Sequence, residues 1–389
     1  MNVLLAFTLS LGPFYWFFGI GPSAFMLIKL VLLFCLIFVS VTKLNVRISK
    51  EVLIICLLLT SLKLISSYDH VLELSTLIKL IYPQVYIFFI SVVFCHAIEN
   101  EKFNINKIFI YMNVIIFISC LIIVISNIIG MTIISPYGIG TIEFSGFGSL
   151  RTGWSGGLAM FVVANLYYLT LCKHNKTIFI GVILSIVVTI YTQYLSGGRG
   201  GLLASMLAIS IFVLFNFKNN PIFYSSFIFC GVFSISNIVL VNGVDELIRV
   251  NHDSGDISAG RIHQYIVSMS LLAENYLLPM GYHGFIPRFI SLGMEPIEIH
   301  NVWIGFAVQY SFMFVMIFVY FLGSRIFLSE VNFVGKLMIL CGLIPTLFEP
   351  SAILVNISNY IVWWFVFFTL NYAISDSSSN NVIFKRAPL

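Results

Sequence analysis

The chain has 389 residues, of which 59% are hydrophobic and only 9% are charged, and its mean hydropathy is +1.02. Soluble globular domains carry about 25% charged residues, so this composition excludes a soluble protein and predicts an all-α polytopic membrane protein. The net charge of +4 comes from basic residues in short loops beside the predicted spans, where they set topology. It therefore gives no reason to expect nucleic-acid binding.

Apolar runs long enough to cross a hydrocarbon core of about 30 Å occur about twelve times along the chain. Because lipid offers the backbone no hydrogen-bond partners, each run is predicted to be a helix. The third and the eleventh runs are short enough to be broken or tilted. The predicted spans are 3–19, 22–41, 52–67, 78–97, 108–129, 154–172, 177–195, 201–217, 221–241, 301–322, 333–348 and 352–372.

The amino-terminal run lacks the basic start and the small-residue cleavage site of a removable signal, so it is predicted to stay in the protein. The whole chain, 1–389, is then predicted to form a single integral membrane domain. The seven cysteines fall within the spans or at their ends, which is typical of packing residues and not of a disulfide framework or a metal site.

Basic residues are distributed unevenly between the predicted loops. With the amino terminus in the cytoplasm, most of them fall on the inner side, as the positive-inside rule requires, and the carboxyl terminus is cytoplasmic too. The outer side receives only arginines, namely Arg151, Arg199, Arg249, Arg261 and Arg288. A guanidinium binds phosphate through two parallel hydrogen bonds. The presence of arginine without lysine on the outer side therefore predicts a phosphate-bearing ligand outside the cytoplasm. The alternative is that some of these arginines pair with outer acids.

The stretch LSGGRGGLL, residues 195–203, joins the seventh and eighth spans and places Arg199 between two glycine pairs. Glycine lets the backbone approach a ligand closely, and the free N–H groups at a helix amino terminus attract anions. We therefore predict that Arg199 binds phosphate with the help of Gly197, Gly198 and Gly200. A glycine turn whose arginine only reaches the lipid headgroups is the alternative.

One long hydrophilic loop, 242–300, holds three of the five outer arginines. Within it, an amphipathic helix on the membrane surface is predicted at about 258–276. At helical spacing the apolar residues of this segment form one stripe: Ile262, Tyr265, Ile266, Met269 and Ala273. The stretch PMGYHGFIPRF that follows is predicted to be irregular and carries His283. Asp253 and Asp256 lack further ligands at metal-site spacing, so no metal is predicted.

The loop ends in four polar residues at the mouth of the tenth span: Glu295, Glu298, His300 and Asn301. An imidazole changes its charge near neutral pH, so His300 is predicted to accept a proton during a reaction. The alternative is that His300 is an interfacial or structural residue, as a lone histidine in such a place often is.

These stretches resemble motifs of the O-antigen polymerase and O-antigen ligase superfamily of bacterial inner-membrane enzymes. LSGGRGGLL is similar to the family's Ser-Gly-Ser-Arg element, and GRIHQYIVSMSLLAENYLLPMGYHGF, 260–285, to its Arg…Pro-x-x-Gly segment. His300-Asn301 is similar to its His-Asn motif, and RTGWSGGLAMF, 151–161, to its Arg-x-Gly entry into a middle span. The chain departs from the family at Gly198, where serine or threonine is usual, and at Ser311, where glycine is common.

The resemblance implies a glycosyltransferase of the GT-C type, working without metal, cofactor or nucleotide sugar at the periplasmic face of the inner membrane. The implied donor and acceptor are undecaprenyl-diphosphate-linked oligosaccharides. The enzyme would also contact membrane lipids and a polysaccharide chain-length regulator. Arg199 and Arg261 are expected to stabilise the leaving diphosphate, and His300 to act as the base, oriented by Asn301 or Glu298. The remaining outer arginines and His283 are expected to bind substrate: Arg151, Arg249, Arg288 and His283.

Three alternatives to a polymerase stay open at this stage. A ligase would use the same chemistry with a core sugar of lipid A as the acceptor. A flippase or exporter of lipid-linked sugars also has about twelve spans, but transporters usually show repeated halves and charges near the midplane. A non-catalytic scaffold gives no reason for outer arginines without lysines.

Overall fold

The described part of the chain is helical and contains no β-strand, which confirms the predicted all-α class. The computed structural model describes residues 2–10, 27–28, 31–32, 34–36, 38, 53–54, 57–58, 60–61, 85, 88, 104–129, 151–172, 174–196, 198–217, 261–274, 280–294, 299–327, 333–347 and 357–372. The ninth predicted span, 221–241, lies outside these residues, and so does most of the third and the fourth.

The fifth to eighth predicted spans each match one helix to within a few residues. Helix α2 (Ile105–Ile128) follows the N-cap Asn104, and helix α4 (Lys176–Leu195) follows the N-cap Asn175. Each asparagine side chain accepts a hydrogen bond from the backbone N–H three residues further on. In chain order the helices are α1 (Asn2–Ser10), α2 (Ile105–Ile128), α3 (Arg151–Leu171), α4 (Lys176–Leu195), α5 (Arg199–Phe217), α6 (Arg261–Glu274), α7 (Gly281–Ser291), α8 (Val302–Tyr310), α9 (Phe312–Phe327), α10 (Phe333–Gly342), a 3-10 turn (Ile344–Leu347) and α11 (Ile357–Tyr372).

Helices α2 and α4 are long and apolar enough to cross a membrane. The two sides of α4 differ in a way that reverses the pattern of a water-soluble helix. Its exposed side carries aliphatic residues such as Ile180, Leu184 and Val187, and its buried side carries Ser185, Thr189, Thr192 and Gln193. Four polar side chains of α4 therefore face other helices together with Val182 and Ile186, and the outward side of the helix is largely aliphatic.

Helix α3 lies at the centre of the bundle. Every residue from 155 to 169 is buried, and α3 packs against α2, α4, α5, α10 and α11. Small residues permit this crowding, because Gly156 lies directly against the hydroxyl end of Tyr360 of α11. The buried amide of Asn165 accepts a hydrogen bond of 2.7 Å from Asn113 of α2. These contacts fix the position of the amino-terminal end of α3, where the sequence places Arg151.

The prediction of one continuous span over 301–322 is wrong, because the chain forms two helices, α8 and α9, that are separated at Ser311. The backbone φ of Ser311 is +87°, a value that no helical residue adopts. Its hydroxyl accepts a hydrogen bond of 3.4 Å from the N–H of Phe314, a local bond of the kind that competes with helical hydrogen bonding.

The prediction of an irregular stretch after Pro279 is also wrong, because Gly281–Ser291 forms α7 with Pro287 inside it. Phe285 and Phe289 lie one turn apart, are fully buried, and pack edge to face with ring centroids 5.7 Å apart. The burial of these two rings outweighs the helix-breaking tendency of the proline.

Replacing Ser311 with glycine is expected to raise the free energy of unfolding by up to about 1 kcal/mol, because relief of the left-handed backbone outweighs the loss of the long, 3.4 Å hydrogen bond from Phe314. Thermal unfolding of the detergent-solubilised protein measures the change. Ser210→Gly is the matched control, because Ser210 is an ordinary helical residue of α5 at which glycine should lower stability. A free energy of unfolding that is lowered equally in both variants would contradict the prediction.

Candidate functional site

Helix α6, within the predicted amphipathic segment, has two different sides. Its buried side is formed by Gln264, Val267, Ser268 and Leu271, which face the protein. Three members of the predicted apolar stripe, Ile262, Ile266 and Met269, are 60%, 62% and 52% exposed. The apolar stripe therefore points outward, and the polar Gln264 points inward.

Two neighbouring side chains of α6 hold the backbone of His300. The N–H of His300 donates to Oε1 of Gln264 at 3.0 Å, and the hydroxyl of Tyr265 donates to the carbonyl oxygen of His300 at 2.8 Å. Gln264 is only 2% exposed, so its bond is shielded from water. We call the three residues Gln264, Tyr265 and His300 the His300 clamp.

Arg261, the first residue of α6, precedes the two holding residues of the clamp by one helical turn. Residues three and four apart on a helix are neighbours, so Arg261 lies on the same side of α6 as Gln264 and Tyr265. It is half-buried and makes no ion pair or hydrogen bond with any residue of the described segments. The first turn of α6 contains no acid, so no carboxylate of that turn offsets the charge of Arg261.

Asn301, next to the clamp, is the N-cap of α8. Its Oδ1 accepts hydrogen bonds from the N–H groups of Trp303 and Ile304 at 3.0 and 3.1 Å, and its Nδ2 donates to the carbonyl of Leu347 at 3.3 Å. The structure thus uses the Asn301 side chain to begin α8 and to attach the 3-10 turn. Trp303 strengthens this attachment, because its indole N–H donates to Thr346 at 2.8 Å.

The amino-terminal ends of α3 and α5 meet at a second cluster, the Ser155 junction, formed by Ser155, Gln193, Gly198 and Gly201. The hydroxyl of Ser155 donates to the carbonyl of Gly198 at 2.6 Å, and Nε2 of Gln193 donates to the carbonyl of Ser155 at 2.8 Å. Gly201 lies so close to Ser155 that a Cβ would overlap the Ser155 backbone. Only glycine fits at position 201 in this arrangement.

The Ser155 junction brings two predicted site residues to neighbouring helix ends. Arg151 is the first residue of α3, one turn before Ser155, and Arg199 is the first residue of α5, two residues before Gly201. Neither helix has an acid in its first turn. The side chains of both arginines lie outside the described part of the structure, but Gly198 and Gly200 are buried within it.

The 3-10 turn, Ile344–Leu347, packs against two helices that carry predicted site residues. These are α5, whose first residue is Arg199, and α8, which begins just after His300. The structure therefore places Arg151 and Arg199 at the ends of two helices that meet, and Arg261 and His300 on two segments that side chains of α6 hold together.

Other predicted site residues fall elsewhere or are not described. Arg288 of α7 forms an ion pair of 2.7 Å with Glu274, and both side chains are about half exposed. This pair matches the alternative interpretation, in which an outer arginine pairs with an acid, and the acid is Glu274 at the end of α6. His283 lies in α7 with its side chain outside the described part, and three other predicted site residues lie wholly outside it: Gly197, Arg249 and Glu298. Within the described segments, no group of three or more histidine, cysteine or acidic residues lies together.

The sequence prediction missed the residues that hold the site together. Gln264 and Tyr265 reach a partner 36 and 35 positions away, and Ser155 reaches Gly198 across 43 positions. Spacing within one segment cannot indicate such partners. The available signal was Gln264 itself, a polar residue on the side of α6 opposite its apolar stripe.

The side chains of α6 thus hold the backbone of His300 to the helix that begins with Arg261, and two more helices that begin with arginine meet at the Ser155 junction. Comparisons with protein-family models, with curated proteins and with solved structures find no significant match for this chain.

Proposed function

We propose that the protein is an integral membrane glycosyltransferase that acts as an O-antigen polymerase. It would transfer a growing undecaprenyl-diphosphate-linked glycan onto a lipid-linked repeat unit at the periplasmic face of the bacterial inner membrane. In this proposal the chain crosses the membrane about twelve times, both termini are cytoplasmic, and a chain-length regulator is a partner.

The distribution of polar and apolar residues supports a membrane location. Helix α4 exposes Ile180, Leu184 and Val187 and buries Ser185, Thr189 and Thr192, which suits a lipid surrounding and would be costly in water. The outward Ile262 and Ile266 of α6 would sit among lipid acyl chains at the membrane surface. Arg261, at the start of the same helix, would then lie at the depth of a lipid-linked diphosphate.

The observation that carries the proposal is the attachment of His300 to the helix that begins with Arg261. Glycosyl transfer from a diphosphate needs a cation near the leaving oxygens and a base near the attacking hydroxyl, at a fixed separation. Gln264 and Tyr265 hold the base to the helix of the cation through bonds of 3.0 and 2.8 Å. This arrangement holds the segment that carries His300 against the helix that carries Arg261.

The proposed reaction assigns a role to each group. The acceptor hydroxyl attacks the anomeric carbon of the donor, and the bond from that carbon to the phosphate oxygen breaks. His300 takes the hydroxyl proton, and the electron pair of the broken bond stays on the diphosphate. Arg261 and Arg199 bind that charge, which is greater in the transition state than in the ground state, and thereby accelerate the reaction.

The backbone at Ser311 supports the resemblance from which the proposal starts. The family commonly has glycine ten residues after its His-Asn pair, and this chain has serine there. The φ of +87° at Ser311 is a conformation that glycine adopts readily and serine does not. A glycine would therefore fit the backbone of this chain at position 311 without strain.

Removing the encoding gene from its bacterial host is expected to shorten the surface glycan. Lipopolysaccharide from the deletion strain should show core carrying a single repeat unit, because repeat units would still be made and ligated but not joined to one another. Gel electrophoresis of the extracted lipopolysaccharide measures this, and a plasmid copy of the wild-type gene should restore the long chains.

Two other outcomes would identify a different function. Bare core together with long chains on the lipid carrier would identify a ligase. Repeat units that accumulate on the cytoplasmic side of the membrane would identify a flippase or exporter. An unchanged glycan would overturn the proposal.

A further inference from the structure

We propose that Gln264 and Tyr265 are positioning residues that set the location of the His300 imidazole relative to Arg261. This inference rests on the proposed function and adds two residues to it. Neither residue is required to touch the substrate, because both act through the backbone of His300.

The geometry restrains His300 on both of its peptide groups. Gln264 accepts from the amide N–H at 3.0 Å, and Tyr265 donates to the carbonyl oxygen at 2.8 Å. The next residue, Asn301, is fixed as the N-cap of α8. A residue whose N–H, C=O and following neighbour are all held has little backbone freedom, so the starting point of its side chain is fixed.

Packing alone does not explain why residue 264 is a glutamine. Helix α6 already buries Val267, Leu271 and Leu272, and an apolar residue at 264 would extend this surface without the cost of burying an amide. A buried glutamine is favourable only where it makes hydrogen bonds. The N–H of His300 supplies such a bond at 3.0 Å, and an apolar residue at 264 would lose it.

Tyr265 is also needed for its hydroxyl group. Its ring is part of the apolar stripe of α6, but the hydroxyl reaches back to His300. A phenylalanine would keep the ring and lose the bond. Since a misplacement of about 1 Å at a reacting group can lower a rate by about 100-fold, small movements of His300 matter for catalysis.

The test uses the full-length purified protein in lipid nanodiscs with a lipid-linked repeat unit as substrate. Gln264→Met keeps the length of the side chain and removes the acceptor, and Tyr265→Phe removes the donor. We expect kcat for chain growth to fall about 10-fold in each variant and KM to stay within about twofold, because the residues do not bind substrate. Ser268→Ala is the matched control, since its buried hydroxyl bonds only within α6, to the carbonyl of Gln264.

Hydrogen–deuterium exchange of the His300 amide gives a second readout that does not depend on activity. Gln264→Met is expected to speed this exchange by about fivefold or more, because the amide loses its acceptor. Gln264→Glu, which keeps an acceptor oxygen, should preserve the protection, and Ser268→Ala should not change it.

The outcomes separate the two proposals. An active wild-type protein whose Gln264→Met and Tyr265→Phe variants keep a normal kcat would overturn the positioning role and leave the proposed function intact. A loss of kcat that is equally large in Ser268→Ala would also overturn the positioning role. A wild-type protein that cannot extend the lipid-linked glycan would overturn the proposed function, and the positioning role with it.

Discussion

Replacing Arg261 with lysine is expected to lower the rate of chain growth by about 100-fold or more, which is the usual effect of removing one donor that stabilises transition-state charge. Lysine keeps the positive charge but has no planar fork, so it cannot bind two oxygens of a diphosphate in parallel. The half-buried Arg261 has no acidic partner among the described residues, so the substitution disturbs no ion pair there. Arg199→Lys and His300→Ala are expected to have effects of similar size.

Chain growth is measured by complementing the deletion strain with each variant, and the protein level in the membrane is measured in parallel. Arg288→Lys is the comparison, because a lysine at 288 keeps the exposed ion pair with Glu274, and near-normal chain growth is expected. Wild-type chain growth with Arg261→Lys would remove Arg261 from the mechanism. A loss of membrane protein would show instead that Arg261 is needed for folding.

Replacing Gly201 with alanine is expected to prevent the protein from accumulating in the membrane. The added methyl group would overlap the backbone of Ser155 as well as its hydroxyl, and a backbone in the centre of the bundle cannot move aside as a flexible side chain can. The helices α3 and α5 would have to separate, which would break the bond from Ser155 to Gly198. Overpacking of this kind typically costs about 1–3 kcal/mol, and more where the obstacle is backbone.

Gly181→Ala is the matched control for Gly201→Ala, because no atom lies within 4 Å of the position that its Cβ would occupy. Gly181 is also helical, so alanine should favour the helix there. Size-exclusion chromatography of a fluorescent fusion in detergent compares the two variants. A monodisperse peak of normal height for Gly201→Ala would show that α3 and α5 do not meet as described.

The helices of the bundle could be predicted from sequence because length and hydropathy determine them. The fifth to eighth predicted spans match α2 to α5 to within a few residues, since each is a long apolar run bounded by polar or glycine residues. The break at Ser311 could not be predicted in the same way. It depends on one backbone torsion within an apolar run, and composition does not report a torsion angle.

Some features of the predicted site could likewise be predicted from sequence, and others could not. Arg261 and His300 could be selected from sequence, because unpaired cations and a histidine stand out in a chain with so few charges. The attachment of His300 to the helix of Arg261 could not, since it depends on hydrogen bonds from Gln264 and Tyr265 to a residue of a distant segment. Similarly, α7 forms because Phe285 and Phe289 find a buried place, and local rules for glycine and proline predict a loop there.

The complete burial of residues 155–169 has a consequence for biosynthesis. Helix α3 leaves the ribosome before α4, α5, α10 and α11, which together cover most of its surface. Asn165 can pair with Asn113 of α2 as soon as α3 is made, and Ser155 can pair with Gln193 and Gly198 once α4 and α5 follow. The flank of α3 at Gly156 has to wait longer, because it lies against Tyr360, a residue of α11 near the carboxyl terminus. The central helix therefore satisfies its polar groups early in synthesis and completes its packing only when the last described helix is made.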